Sequence, residues 1–225
     1  MAAHGLHKPI IEWREFTSST AALARRAPDL RAIWFGGRLD PAFREEVMLA
    51  VAGANSCRQC SFAHREWALA EGLPEAELAE LEGLQAESFD ARTWAAIAWA
   101  QAYARSDFTD VPDVIDANFR RRFSPQEQAD IELAVRTMYW LNETSNGVDA
   151  FLSRLKRDRV RGSTVLSELV ALVLYAIAVP ALIVLFSIKQ RRNPISILRA
   201  MEPFFHEFGA RGPHTISGPG QNYSG

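Results

Sequence analysis

Apolar residues recur at helical spacing along most of the chain, whereas the strict alternation that is typical of strands is rare. This pattern predicts an all-α fold. Ser124, Pro125 and Glu127 form a capping-box start for the longest predicted helix. The predicted helices cover residues 18–26, 41–54, 57–71, 74–82, 91–106, 111–122 and 125–156.

A second pattern is the uncharged run at residues 169–188, in which only Pro180 and Ser187 are not hydrophobic. A helix of this length spans about 30 Å, which is the thickness of the hydrocarbon core of a bilayer. We therefore predict a single transmembrane helix within residues 165–190. A helix buried at a subunit interface is the alternative interpretation.

Basic residues flank this run on both sides, so they favour only slightly a cytoplasmic position for the N-terminal side. Apolar residues at helical spacing predict a short amphipathic segment at residues 191–208, and a composition rich in Gly, Pro and Ser predicts a disordered tail at 209–225. Together with the transmembrane helix, these segments follow a helical domain predicted at residues 1–160.

The overall composition excludes one class of function. With 48% hydrophobic residues and a formal net charge of −2, the chain can bury a substantial core and lacks the basic charge of nucleic-acid-binding proteins. No GxGxxG or P-loop motif is present, and we expect no cofactor. Residues 1–16 contain no apolar run of the signal-peptide type, so we expect the helical domain to lie in the reducing cytosol.

The only two cysteines, Cys57 and Cys60, stand just before His64. On one helix, offsets of three and seven residues place all three side chains within a sector of about 60°. Three interpretations remain open, namely apolar packing, zinc binding and thiol redox chemistry. Structural zinc needs four ligands, and the sequence has no second Cys-x2-Cys or His-x3-His pattern. Thiol redox chemistry is therefore favoured, and no metal is expected.

The surrounding residues offer ways to form the thiolate that this chemistry needs. The preceding helical pattern is interrupted by Gly53, Asn55 and Ser56. The interruption predicts that Cys57 lies in the first turn of the next helix, where the helix dipole favours an anion. His64, one turn beyond Cys60, can exchange a proton with its sulfur. The simplest assignment makes Cys60 the attacking thiol and Cys57 the resolving thiol, although the reverse order stays open.

Glu45 lies twelve positions before Cys57 and completes a Glu-x11-Cys-x2-Cys-x3-His pattern. This pattern resembles the motif of the AhpD-like (alkylhydroperoxidase) branch of the carboxymuconolactone decarboxylase family, closely over residues 35–85 and loosely to about residue 155. The resemblance implies an AhpD-like helical domain with a redox-active Cys57–Cys60 pair and a proton relay through Glu45 and His64. Some members have histidine where this chain has Gln59. The decarboxylase branch lacks the cysteine pair, which argues against lactone decarboxylation.

The same resemblance implies an enzyme that reduces a hydroperoxide directly or recycles a peroxiredoxin, and the predicted transmembrane helix would anchor this enzyme in a membrane. Its partners would be the hydroperoxide, a thiol or dithiol reductant, the lipid membrane and further copies of the chain in a homo-oligomer. The alternative is a non-catalytic membrane redox sensor or adaptor, whose dithiol is oxidised without turnover.

Several residues have a second interpretation on sequence grounds. Without the motif, Glu45 would be a solvated charge in the first turns of a helix, and Glu46, on another face, is its natural internal control. Aromatic residues at helical spacing, such as Trp99 and Tyr139, are more typical of a core than of a substrate pocket. Three polar residues in the last predicted helix could line a pocket or lie on an exposed face, and the sequence favours neither: Asn142, Ser145 and Asn146.

Overall fold

The structure is a computed structural model that describes residues 8–83, 86–191 and 193–196. Within these ranges the chain forms the α-helices named below, one 3-10 turn and a helical segment at 194–196, and it contains no strand, so the all-α prediction is confirmed there. The helices are α1 (Trp13–Arg25), α2 (Ala27–Phe35), α3 (Pro41–Ala54), α4 (Arg58–Ala70), α5 (Glu75–Glu82), α6 (Ala91–Arg105), α7 (Asp113–Arg122), α8 (Pro125–Leu155) and α9 (Val165–Gln190).

Helix α3 is buried on nearly every side. Val47 and Met48 pack in one apolar cluster with Trp99 of α6, and Leu49 packs in a second cluster with Leu78 of α5. A helix that is surrounded by partners buries its polar side chains together with its apolar ones. The charged residues of α3 are therefore enclosed in the core and need partners there.

The connection from α3 to α4 has Schellman geometry. The Ser56 N–H donates to the Gly53 carbonyl at 3.1 Å, and the Cys57 N–H donates to the Ala52 carbonyl at 3.0 Å. Ser56 adopts a left-handed backbone with φ of 51°, at the position where glycine is usual. Gly53, which was predicted to interrupt the helix, instead lies inside α3, and the turn begins at Asn55.

In the N-terminal region, one predicted helix start is wrong and one helix was missed. Helix α1 begins at Trp13 rather than at residue 18, and α2 was not predicted. Helix α2 has only nine residues, follows α1 after Arg26 alone and contains Pro28 in its first turn. Proline is compatible with that position, but so short a segment has too few turns to show clear periodicity.

The chain divides into two compact units between Asn146 and Gly147, so α8 continues from the first unit into the second. In the second unit, Nη2 of Arg154 lies 2.7 Å from Oε1 of Glu168, near the capping box that starts α9 at Thr164. The segment Val165–Leu185 is long and apolar enough to cross a membrane.

The other predicted boundaries are less fully described. Of the predicted amphipathic segment at 191–208, the structure describes only Arg191 and residues 193–196, and the predicted tail at 209–225 lies outside the described residues. The boundary placed at residue 160 stays a prediction.

Candidate redox site

The two cysteines lie where α4 begins and form a disulfide with their Cα atoms 5.3 Å apart. Cys57 was predicted to lie in the first turn of α4, but it is the N-cap residue that precedes this helix. Cys60 occupies the first turn instead. The first backbone N–H groups of a helix have no acceptor within it, so they present positive partial charge to nearby groups. Both sulfurs therefore belong to the end of α4 that favours a thiolate.

Glu45 and His64 form a buried pair between α3 and α4. The Nδ1 atom of His64 lies 2.6 Å from Oε2 of Glu45, and the glutamate is 0% exposed. The interpretation of Glu45 as a solvated helix charge is therefore wrong. His64 is one helical turn beyond Cys60, so the structure brings together the four residues that the motif predicts.

Arg44 holds the other oxygen of the same carboxylate. Its Nε and Nη2 atoms donate to Oε1 of Glu45 at 3.1 and 2.7 Å, and its Nη1 donates to the Ile33 carbonyl at 3.0 Å. The guanidinium also stacks over the Trp34 ring at 5.3 Å. Sequence reasoning missed Arg44, because adjacent residues of a helix normally point to different sides.

The charge state of Glu45 follows from these contacts. Burial by itself would raise the pKa of the carboxyl group, but the hydrogen bond and charge of His64 and the charge of Arg44 together hold the pKa of Glu45 below its ordinary value. Glu45 is therefore a carboxylate that accepts from His64 Nδ1–H. This leaves Nε2 of His64 as the ring atom that can exchange a proton with another group.

Helix α8 supplies a polar contact to one sulfur. The Oγ atom of Ser145 lies 3.4 Å from Sγ of Cys60, and Ser145 is buried. A hydroxyl at this distance can donate to a thiolate or accept from a thiol. Ser145 therefore faces the redox pair, and its interpretation as part of an exposed face is wrong.

The neighbouring amides on α8 are buried as well. Asn142 Nδ2 lies 3.5 Å from the Val51 carbonyl, and Asn146 Nδ2 donates to the Asn55 carbonyl at 3.3 Å. Both asparagines are 0% exposed, so the exposed-face interpretation is wrong for them too. Their offsets of three and four residues indicated that these polar side chains share one face of the helix. Whether that face is buried or exposed depends on how the helix packs, which the sequence does not show.

Glu46 belongs to a different environment from Glu45, as the sequence suggested. Its carboxyl group is also buried, and burial, followed by a hydrogen bond to Glu77 and the charges of Asp90 and Asp40, raises its pKa to about 8. The two adjacent glutamates therefore have pKa values shifted in opposite directions by their surroundings. Only Glu45 contacts the histidine of the motif.

The aromatic residues considered for a substrate pocket pack against other rings. Trp99 stacks on Phe119 with the ring centroids 4.3 Å apart, and the Tyr139 ring lies 4.6 Å from the Phe108 ring. Trp99 is a buried member of the larger hydrophobic cluster, and Tyr139 packs against that cluster. These residues therefore form part of the hydrophobic core, as their helical spacing suggested.

The arrangement places a disulfide beside a carboxylate–histidine pair, and both are shielded from solvent. Among the described residues, no cluster of three or more His, Cys, Asp or Glu side chains is arranged to hold a metal ion. What the site can do with the groups present is to exchange two electrons at the sulfurs and one proton at the His64 ring.

Comparison with known proteins supports a family assignment for part of the chain. Comparisons with curated proteins and with solved structures found no match. Residues 17–102 match the model of the carboxymuconolactone decarboxylase family. This match extends from α1 into α6 and includes Glu45, both cysteines and His64, whereas Ser145 lies beyond it. The segment of this chain from residue 17 to residue 102 thus matches the carboxymuconolactone decarboxylase family.

Proposed function

We propose that this protein is an AhpD-like, thiol-dependent peroxide reductase. The observation that carries the proposal is the buried Glu45–His64 pair one helical turn from Cys60, whose sulfur is joined to Cys57. Packing alone would not require an ionised carboxylate and a histidine beside a reversible disulfide. A general base beside a thiol is the arrangement that nucleophilic thiol chemistry needs.

In the reduced protein, His64 takes the proton of the Cys60 thiol while the Glu45 carboxylate stabilises the resulting imidazolium. The thiolate attacks the terminal oxygen of a hydroperoxide, so that an S–O bond forms, the O–O bond breaks and the alkoxide or hydroxide leaving group takes the proton from His64. The Cys57 thiol then displaces hydroxide from the sulfenic acid, which yields the disulfide and one water. A thiol or dithiol reductant restores both thiols by thiol–disulfide exchange.

The reductant of the Cys57–Cys60 disulfide is a thiol or dithiol. If the enzyme recycles a peroxiredoxin instead of reducing a peroxide directly, the oxidised peroxiredoxin is the electron acceptor, and the Cys57–Cys60 dithiol reduces it by thiol–disulfide exchange. A homo-oligomer is the proposed assembly. Phe35 is 70% exposed beside an apolar groove lined by Leu30 and Trp34, and a second copy of the chain could cover this surface.

Helix α9 anchors the enzyme in a membrane as a single span, with the redox domain on the cytoplasmic side. Its apolar side chains support this proposal because many of them are exposed, as Val173 and Ile177 are at 59% and 68%. The core helix of a soluble protein would bury these residues. The slight excess of basic residues before the span supports the orientation.

Turnover with a panel of dithiol donors tests the function. We expect catalytic consumption of hydroperoxide by the wild type and none by Cys60→Ser or Cys57→Ser, and we expect mild oxidation to give an intramolecular Cys57–Cys60 disulfide by mass analysis. One equivalent of oxidation without turnover would instead indicate the redox sensor. If oxidation gives only intermolecular disulfides, the Cys57–Cys60 dithiol mechanism is contradicted for the peroxide reductase and for the redox sensor.

A further inference from the structure

Three buried asparagines lie beside the redox pair and have polar atoms that the protein leaves unmatched. Among the residues that the structure describes, both polar atoms of the Asn55 amide have no hydrogen-bond partner, and neither has Oδ1 of Asn142 or of Asn146. All three residues are 0% exposed. A buried polar atom without a partner destabilises the folded protein, so four such atoms in one place call for a polar ligand.

These amides belong to one place because they share backbone contacts. The Asn142 amide contacts the Val51 carbonyl, and the Asn146 amide contacts the Asn55 carbonyl. Both carbonyls lie near the C-terminal end of α3. On α8, Asn142 and Asn146 are one turn apart, and Ser145 lies on the same face of that turn. Since Ser145 contacts the sulfur of Cys60 at 3.4 Å, the group of amides adjoins the redox pair.

The orientation of two of the amides follows from their partners. Carbonyl oxygens only accept hydrogen bonds, so the nitrogen atoms of Asn142 and Asn146 must face Val51 and Asn55, and their Oδ1 atoms point away from these carbonyls. Asn146 is fixed further by donating to the Pro9 carbonyl at 2.9 Å. The unmatched atoms are therefore three acceptor oxygens and the donor nitrogen of Asn55.

This set of atoms indicates the chemistry of the ligand. An anion would meet three oxygen acceptors and only one amide donor, whereas a molecule with O–H groups can donate to the oxygens and accept from the nitrogen. A hydroperoxide has that character at the atoms that react, and so does water. We propose that Asn55, Asn142 and Asn146, with Ser145, form a binding site for the hydroperoxide group beside Cys60.

This inference rests on the proposed function and adds a role for α8, which lies beyond the segment matched to the family. The amides hold the peroxide oxygens by hydrogen bonds before the O–O bond breaks. Ser145 donates to the Cys60 thiolate and keeps it directed at them. The electrons and the proton follow the path through Cys60 and His64 that was given above.

The test uses the full chain, reduced and in detergent, and compares the rate constants for oxidation of its dithiol by two reagents. Hydrogen peroxide would use the amide site, whereas diamide oxidises thiols without a peroxide group. Asn55→Ala and Asn142→Ala should each lower the hydrogen peroxide rate about 3- to 10-fold, the effect of one lost hydrogen bond, and leave the diamide rate within about twofold. Ser145→Ala should lower both rates, because it acts on the thiolate.

The matched control is Thr144→Val, which removes a buried hydroxyl from the same helix. The Thr144 hydroxyl donates to the Trp140 carbonyl at 3.1 Å and does not contact a sulfur in any interaction of the described residues, so both rates should stay at the wild-type level. A cooperative urea-unfolding transition verifies independently that each variant is folded. Should an asparagine variant fail to fold, the other asparagine variant and Ser145→Ala still give a result.

Each outcome decides the proposal. A loss confined to hydrogen peroxide supports the site, and an equal loss with both reagents in the asparagine variants overturns it, because the amides would then act only on the thiols. Unchanged rates also overturn it, since the amides would bind nothing but water. A wild type that forms the disulfide with diamide but reacts with hydrogen peroxide no faster than a free thiol overturns the proposed function, and this site with it.

Discussion

At the scale of single residues, the chemistry of the site depends on how one carboxylate is held. Glu45 shares its two oxygens between Arg44 and His64, so that the charged form is favoured although the group is buried. Because Arg44 also binds the Ile33 carbonyl and stacks on Trp34, its position is fixed from two further sides. The guanidinium therefore fixes the position of the Glu45 carboxylate.

The first prediction concerns this relay. Glu45→Gln and His64→Gln should each lower peroxide turnover roughly 100-fold or more, which is the scale of a lost general acid or base. In Glu45→Gln, the new amide could still contact the ring but could not stabilise an imidazolium. Steady-state peroxide consumption with a saturating dithiol donor measures the effect.

Glu46→Gln is the matched control for these variants. Its carboxyl group has a pKa of about 8 and is protonated at neutral pH, so glutamine reproduces both its shape and its charge. Turnover should therefore change by less than about twofold, since Glu46 makes no contribution as a proton acceptor there. Equal losses at Glu45 and Glu46 would show that the relay has been misplaced.

The same control residue supports a second prediction, on stability. The pKa of Glu46 is raised in the folded protein from its ordinary 4.5 to about 8, so the unfolded chain releases this proton at lower pH. The free energy of unfolding should therefore fall as the pH rises from about 4.5 to 8, because the folded state keeps the proton that the unfolded state loses.

Glu46→Gln should remove this part of the pH dependence. At pH 5 the variant and the wild type should have nearly equal free energies of unfolding, and at pH 8 the variant should be more stable by on the order of 1 to 2 kcal/mol. Urea unfolding at both pH values gives the comparison. If the stability of the variant relative to wild type is instead lower at pH 8 than at pH 5, the raised pKa of Glu46 is contradicted.

At the scale of secondary-structure elements, the site depends on how α3 ends. The Schellman turn at Gly53 and Ser56 reverses the chain within a few residues, so the C-terminal part of α3 and the start of α4 meet at the cysteines. Asp40 fixes the other end of α3, where its side chain accepts from the Phe43 N–H at 2.9 Å. Glu45 then lies on the second turn of a helix that is held at both ends.

The third prediction tests the helical position of Gly53. A Cβ atom added at Gly53 would meet nothing within 4 Å, so Gly53→Ala should raise the free energy of unfolding by about 0.5 to 1 kcal/mol. At Gly36 the same atom would lie 2.8 Å from the Ala32 carbonyl oxygen, so Gly36→Ala should lower it. Thermal unfolding of the two variants measures the opposite signs, and a loss at Gly53 would argue against a helical residue there.

At the scale of the whole molecule, a helical domain with a Cys57–Cys60 disulfide and an apolar helix occur in one chain. The exposed apolar side chains of α9 can be hidden only by lipid or by another protein surface. Helix α9 begins with a capping box, and Glu168 in its first turn contacts Arg154 of α8, so its polar end is well defined. The remaining question is which apolar surroundings cover the rest of the helix.

The fourth prediction is that the full chain partitions with membranes and resists extraction by high salt and by alkaline carbonate. Salt screens charge–charge attraction but does not weaken a hydrophobic attachment. A chain truncated after residue 160 should be soluble and keep its dithiol. Fractionation followed by immunoblotting measures the distribution.

A double variant, Val173→Lys and Ile177→Lys, provides the control in the full chain. Both side chains are exposed, so lysine disturbs no packing of the described residues, yet each lysine near the centre of a span costs about 2.5 to 3.5 kcal/mol in a bilayer. The variant should move to the soluble or salt-extractable fraction. If the wild type is instead a stable soluble oligomer without detergent, α9 is an interface helix.

Much of this protein follows from local patterns in its sequence. Helical periodicity determines α3 to α8, and the uncharged run predicts α9, because each of these signals lies within one segment. The spacing of Cys57, Cys60 and His64 is also a signal within one segment, and it predicts that their side chains lie on one side of α4. The proximity of Glu45 to His64 followed from the family motif rather than from the spacing.

Other features were decided only when the helices packed. The exposed or buried position of Asn142, Ser145 and Asn146 depends on which face of α8 meets α3 and α4, and one helix considered alone does not specify that face. Arg44 joins the site because α3 is enclosed on nearly every side, so that its guanidinium must find its partners in the core. Local sequence thus determined the helices and the reactive groups, whereas the hydrogen-bond partners of those groups depend on distant segments that only the tertiary structure brings together.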